Sequence, residues 1–230
     1  PWISDDVEDI NGIKMGSYDY GEDNIVINTF YDMDDASFDY NGGTIRALVK
    51  AADVDDDVRR IYGINMQGDS TNYVANYGGF IIAGIMGTDV DEWDGMYASD
   101  LRDVAGILIE GKGADLNSVY NTGSIVAGVD YADADGAFWG TSDISGDVDT
   151  VSGVYIQGWQ ADENRVVNTG YGGIAAGIGN DNWWSAGRTE VDGDVYDITG
   201  VYINGDSASV GNFVERSEER RVGKECRSRW

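Results

Sequence analysis

The sequence predicts an all-β fold made of one repeated unit, and three observations predict it. Five short segments align on a glycine: NGIKM at 11–15, YGINM at 62–66, AGILI at 105–109, SGVYI at 152–156 and TGVYI at 199–203, with the glycines 51, 43, 47 and 47 residues apart. Within each, apolar residues alternate with others, as in Ile13/Met15, Ile64/Met66 and Val154/Ile156. That is the period of a strand with one face in a core. Clusters of Asp, Gly and Asn separate the runs and supply turns. Helix is disfavoured, because 33 glycines interrupt the chain and β-branched and aromatic residues fill its apolar positions.

The residue between the alternating apolar pair is Lys14, Asn65, Leu108, Tyr155 or Tyr202. Lysine and asparagine there imply that this position faces water. A second motif follows each glycine segment: DNIVINT at 23–29, TNYVANYGG at 71–79, LNSVYNTGSIVAGV at 116–129 and ENRVVNTGYGGIAAGI at 163–178, with SVGNFV at 209–214 in the last repeat. The first repeat offers another candidate, YNGGTIRALV at 40–49. Two motifs in fixed order at near-constant period make residues 1–215 one repetitive array rather than several domains.

The second motif, Val-x-Asn-Thr-Gly-x-Ile followed by Ala-Gly-Ile/Val, resembles the passenger repeats of autotransporter-type and related β-strand-repeat bacterial surface proteins, over roughly residues 9–214. The resemblance implies a right-handed parallel β-helix, a β-solenoid, at the outer cell surface or in the extracellular space. In such a coil Asn28, Asn76, Asn121, Asn168 and Asn212 are expected to stack and bond amide to amide as a ladder. An ordinary Asn-Thr-Gly turn is the other reading of each. Gly123 and Gly170 are expected to supply positive-φ corners. With two coils in each 47-residue unit, about nine coils stacked ~4.8 Å apart would make a rod of ~43 Å.

Two other β-architectures compete. A β-propeller fits because a period in the forties also suits one four-stranded blade, but the drift from 43 to 51 is awkward for a closed ring. An outer-membrane barrel would need strands of about ten alternating residues with aromatic girdles.

Residues 216–230, RSEERRVGKECRSRW, hold six basic and three acidic residues and match nothing upstream. They resemble the translated read-through of a short-read sequencing adapter, so a non-native tail is expected, and Cys226, the chain's single cysteine, goes with it. The chain opens at Pro1 without methionine, which favours a fragment or a processed product.

Charge and composition exclude several functions. With 42 acidic and 15 basic residues the net charge is −27, which repels nucleic acid and anionic membrane surfaces. Without histidine there is no imidazole base and no His-ligated zinc. No apolar run approaches the ~18 residues of a spanning helix. Carboxylates are so abundant that a pair carries no catalytic signal, and no repeat bears a singular inserted loop of the kind that builds an active site.

The loops after each Ala-Gly-Ile are acidic. Asp89, Asp91 and Asp94 in TDVDEWDG, and Asp130, Asp133 and Asp135 in DYADADG, cluster hard oxygens of the kind calcium takes. Solvated surface charge is the other reading. The same loops carry Trp93, Phe138, Trp139, Trp183 and Trp184, suited either to stacking on sugar rings or to covering a coil junction. The expected function is a non-enzymatic surface or secreted stalk or adhesin passenger whose partners are glycans or a neighbouring cell surface. A calcium-dependent glycan-binding module and a β-helix polysaccharide lyase or hydrolase are the alternatives.

Overall fold

The computed structural model describes residues 2–3, 5–16, 23–32, 37–39, 43–50, 53–54, 56–68, 70–86, 96–129, 142–159, 161–169, 173–178, 189–205 and 211–216. All regular elements among them are strands. The first repeat contains β1 (Trp2–Ile3), β2 (Val7–Gly16), β3 (Ile25–Asn28), β4 (Phe30–Asp32), β5 (Ser37–Asp39) and β6 (Thr44–Lys50). The second contains β7 (Asp53–Val54), β8 (Val58–Gln67), β9 (Tyr73–Asn76) and β10 (Phe80–Met86), and the third β11 (Met96–Ala98), β12 (Leu101–Gly111), β13 (Ser118–Asn121) and β14 (Ser124–Val129). The fourth contains β15 (Ser142–Ile144), β16 (Val148–Gly158), β17 (Arg165–Asn168) and β18 (Ile174–Ile178), and the last β19 (Thr189–Val191), β20 (Ile198–Gly205) and β21 (Phe213–Arg216).

The strands of one repeat go to different sheets, and equivalent strands of successive repeats pair in parallel. The sheets are β1-β7-β11-β15-β19, β2-β8-β12-β16-β20, β3-β9-β13-β17-β21 and β6-β10-β14-β18, here the first to fourth sheets. This is a parallel β-solenoid. A propeller blade would have placed the strands of one repeat side by side. Register fixes the size of a coil: Leu101 pairs with Val148 and with Val58, so a whole repeat is one turn. The expectation of two coils per repeat is therefore wrong. The described strands make five rungs, which rise only about 19 Å across the four gaps between them. The Asn-containing strand and the Ala-Gly-Ile strand lie on one turn because each pairs only with its own kind. The antiparallel pair β4–β5, inserted between β3 and β6, accounts for the 51-residue first spacing. It also resolves the two candidates in that repeat, which are the two halves of one motif held apart.

Each turn has two cores. One collects Val58, Leu101 and Val148 with Ile61, Val104 and Val151 from the second sheet, against Ala47, Ala83 and Ala127 of the fourth and Val54 and Ile144 of the first. The other joins Ile64, Ile107 and Val154 to Val74, Val119 and Val166 of the third sheet and to Ile81 and Ile125 of the fourth. Between them the fourth sheet touches the second at the repeated glycine. A Cβ on Gly106 would lie 2.6 Å from Ile125 Cγ2 and 2.7 Å from the Gly153 carbonyl oxygen. The glycine that defines the repeat is thus demanded by close approach of two sheets.

The asparagines form two ladders. Asn28 Nδ2 donates to Asn76 Oδ1 (2.9 Å), Asn76 to Asn121 (2.8 Å) and Asn121 to Asn168 (2.8 Å). Asn212 is not the next member: β17 and β21 pair Asn168 with Arg216. Asn212 belongs to a second column, in which Asn24 donates to Asn72 (2.8 Å), Asn72 to Asn117 (2.9 Å) and Asn117 to Asn164 (3.0 Å), and the backbone N–H of Asn164 donates to Asn212 Oδ1 (2.9 Å). The pairing of Val166 with Val214, which is 58 % exposed at the end of the array, carries Asn212 into line with Asn164. Gly123 does not take a positive φ. Its constraint is space, since a Cβ there would sit 2.0 Å from Gly79 O. Gly170 lies outside the described residues.

Candidate functional site: a cleft on the second sheet

The long strands of the second sheet are not straight. Asp9, Arg60, Asp103, Thr150 and Asp197, one per rung, all have left-handed backbone, with φ between 46° and 59°. Three residue types, Asp, Arg and Thr, share that conformation, so it is the coil that imposes it. The ladder passes over this residue and over the glycine three positions on: Arg59 pairs with Arg102, Ile61 with Val104 and Ile64 with Ile107. The two interruptions bend each strand and leave a cleft of about 290 Å³ on the sheet's outer face.

Its floor is deeper than a solvent-facing strand should be. Tyr62, Ala105 and Leu108 pack together with Tyr155 against them, and Leu108 and Asn65 are each only 3 % exposed. The position read from the sequence as water-facing does point outward, but on the middle rungs the bend sinks it. Asn65 Nδ2 donates to Asn11 Oδ1 at 3.0 Å, while its Oδ1 has no hydrogen-bond partner among the described residues.

Both walls are polar. On one, Glu110 accepts Gln67 Nε2 at 2.9 Å on one oxygen and Gln157 Nε2 at 3.0 Å on the other, clipping three rungs together. On the other, Arg60 Nε donates to Asp9 Oδ1 at 2.7 Å and Arg60 Nη2 to Glu8 Oε2 at 2.5 Å. Arg59 ties Glu8 at 2.9 Å and also pairs with Asp6. Asp103, at the rim, has its carboxyl pushed up by partial withdrawal from water and by Asp149, with Arg60 and Arg102 opposing. Burial, then Asp103 and Glu110, push the Tyr62 phenol up as well. Tyr155 stacks at a tilt on Tyr202, with ring centroids 5.2 Å apart.

None of these cleft residues was expected from the sequence to form a site. The available signal was variation inside uniformity: Lys14, Asn65, Leu108, Tyr155 and Tyr202 differ at one position of an otherwise regular repeat. Asp89, Asp91, Asp94, Asp130, Asp133 and Asp135, considered for calcium, lie outside the described residues, as do Trp93, Phe138, Trp139, Trp183 and Trp184. Among the described residues, Asp6, Asp56 and Asp57 bring carboxylate oxygens within 4.8 Å of one another. Asp6 is already committed, pairing with Arg59 and accepting the Asp57 backbone N–H, so this trio does not fit a metal site. The asparagine ladders are internal and structural: Asn76, Asn117 and Asn121 are 0 % exposed. No helix of the described residues is long and apolar enough to cross a membrane. No protein-family model matches the chain, and no curated protein or solved structure matches it either.

Proposed function

We propose that this chain is part of a non-enzymatic bacterial β-solenoid, secreted or displayed at the cell surface. In this reading it serves as a stalk or adhesive passenger that presents the outer face of its second sheet for binding. The observation that carries this reading is the uniformity of that sheet. Its strands run in register through every rung without an insertion, and corresponding positions of four rungs build the cleft. An active site is expected to bring a loop inserted into the repeat, whereas an extended recognition surface follows the repeat from rung to rung. The charged walls point the same way, because Arg60 and Glu110 are already engaged by neighbours.

Display on a bacterium through an unrelated anchor tests the reading. Cells carrying the chain are expected to adhere to cultured epithelial cells or to a bacterial lawn above the empty-anchor control. Leu108→Trp, which fills the cleft, is expected to abolish the difference. Release of reducing ends or unsaturated products from polysaccharides by the purified chain would contradict it.

A further inference from the structure

We propose that the cleft takes a neutral, hydroxyl-rich glycan chain laid along the solenoid axis across β8, β12 and β16, an assignment of ligand class that rests on the binding role given to this sheet above. Four observations carry it.

The first is charge. Asp9, Asp103 and Glu110 line the cleft in a chain of net charge −27, so uronate, sulfate or phosphate groups are repelled. Lys14 and Arg60 line it too, and Arg60 holds Asp9 and Glu8, so the carboxylates do not form a cage for a cation.

The second is the mixture of donors and acceptors. Amides of Gln67 and Gln157, carboxylates of Asp103 and Glu110, and the hydroxyl of Thr150 share one small space. A hydroxyl both donates and accepts, so a polyol is the ligand that satisfies such a lining. Asn65 contributes a buried acceptor for which the described residues supply no donor.

The third is the apolar strip on the floor. Ala105 and Leu108 occupy one rung, with Tyr62 on the rung before and Tyr155 on the rung after. Aromatic and aliphatic surface between polar walls suits the C–H faces of a pyranose ring. The fourth is length. The lining spans four rungs, about 14 Å at the spacing of paired strands, so it runs along the axis as an extended chain does.

Affinity electrophoresis of the full chain, with isothermal titration for any hit, tests the assignment against laminarin, xylan, mannan, dextran and chitohexaose, with heparin, polygalacturonate and poly-lysine as contrasts. At least one neutral glycan is expected to bind, and Leu108→Trp and Tyr155→Ala are each expected to weaken it tenfold or more. Circular dichroism checks folding, and Tyr155→Ala keeps the test decisive should Leu108→Trp fail to fold. Binding of no neutral glycan, binding of heparin or polygalacturonate as tight as any neutral one, or neutral binding indifferent to both substitutions would overturn the assignment. Leu108-dependent binding of poly-lysine alone would overturn it in favour of a cationic peptide. The adhesion experiment separates the two claims. Adhesion lost in Leu108→Trp without neutral-glycan binding removes the ligand class and leaves the adhesive role. Leu108-dependent glycan binding without adhesion does the reverse.

Discussion

Asn164 Oδ1 accepts two hydrogen bonds from Asn117, one from its side-chain Nδ2 at 3.0 Å and one from its backbone N–H at 2.9 Å. One amide oxygen thus holds both the side chain and the main chain of the neighbouring rung. The same pairing links Asn72 to Asn117, at 2.9 Å for each bond. Each asparagine of this column follows a residue with left-handed backbone, namely Asp23, Thr71, Leu116, Glu163 or Gly211. The ladder is therefore also what holds a run of strained corners.

Removing one member leaves its neighbours unpaired in a dry interior. Asn117→Ala strips the acceptor from Asn72 Nδ2 and the Asn72 backbone N–H, both buried. We expect a loss of about 2–4 kcal/mol, from unsatisfied groups at about 1–3 kcal/mol apiece. Urea unfolding followed by circular dichroism measures it. Ile27→Thr, on the exposed outer face of β3 at 55 % exposure, is the control expected to change stability by under about 1 kcal/mol.

The glycine column is a packing requirement. Gly106→Ala places a methyl 2.6 Å from Ile125 Cγ2 and 2.7 Å from a backbone oxygen, and the second contact cannot rotate away. A loss of about 3 kcal/mol or more is expected from overpacking of this kind. Gly173→Ala, whose Cβ would meet nothing within 4 Å, should be nearly neutral in the same melt.

Asp103 makes stability depend on pH in a stated direction. Its carboxyl is raised by withdrawal from water and by Asp149, so the folded chain holds that proton more tightly than the unfolded one. The resulting stabilisation is fully present below the unfolded value and is lost as pH rises through the folded value. Asp103→Asn should therefore raise the melting temperature at pH 7 and leave it nearly unchanged at pH 3. A lower melting temperature for the variant at pH 7 would contradict the assignment.

Like charges also stack along one corner. Asp57 donates its N–H to Asp6, Asp147 to Asp100 and Asp194 to Asp147, and Asp57 is raised by burial and then by Asp100. Sodium chloride at 1 M, where the screening length is about 3 Å, is expected to raise the melting temperature. Calcium chloride of equal ionic strength should do no more if the acidic loops at 88–95 and 130–136 are solvated charge. A further rise of several degrees would assign those loops a cation site.

Much of the fold was legible in the sequence. The glycine with alternating Ile64 and Met66 marks the second-sheet strand, and Val-x-Asn marks the third. The size of the coil was not legible, because nothing in two alternating motifs says whether they lie on one turn or two. Only the pairing of Leu101 with both Val58 and Val148 decides it. The second asparagine column was legible in hindsight, since DNIVIN, TNYVAN, LNSVYN and ENRVVN all space two asparagines four residues apart. The cleft was hidden for a physical reason. The bend comes from left-handed backbone at Arg60, Asp103 and Thr150; Arg and Thr carry no mark of that conformation, and the preference of Asp for it is too weak to read in a chain so rich in Asp. A strand read as straight puts Leu108 in water.

The cleft exists only if one repeat is one turn, for only then do Tyr62, Leu108 and Tyr155 fall on adjacent rungs. A cysteine pair at Arg102 and Asp149, which face each other across β12 and β16, tests this directly in a Cys226→Ser background. Adjacent paired strands bring Cα atoms to about 4.8 Å, within the 4.4–6.8 Å that a disulfide accepts. With one turn per repeat, mild oxidation should close this pair in high yield and leave an Arg59/Asp149 pair, two rungs apart, reduced. With two turns per repeat the first pair would be about 10 Å apart and would stay open, and that result would contradict the account.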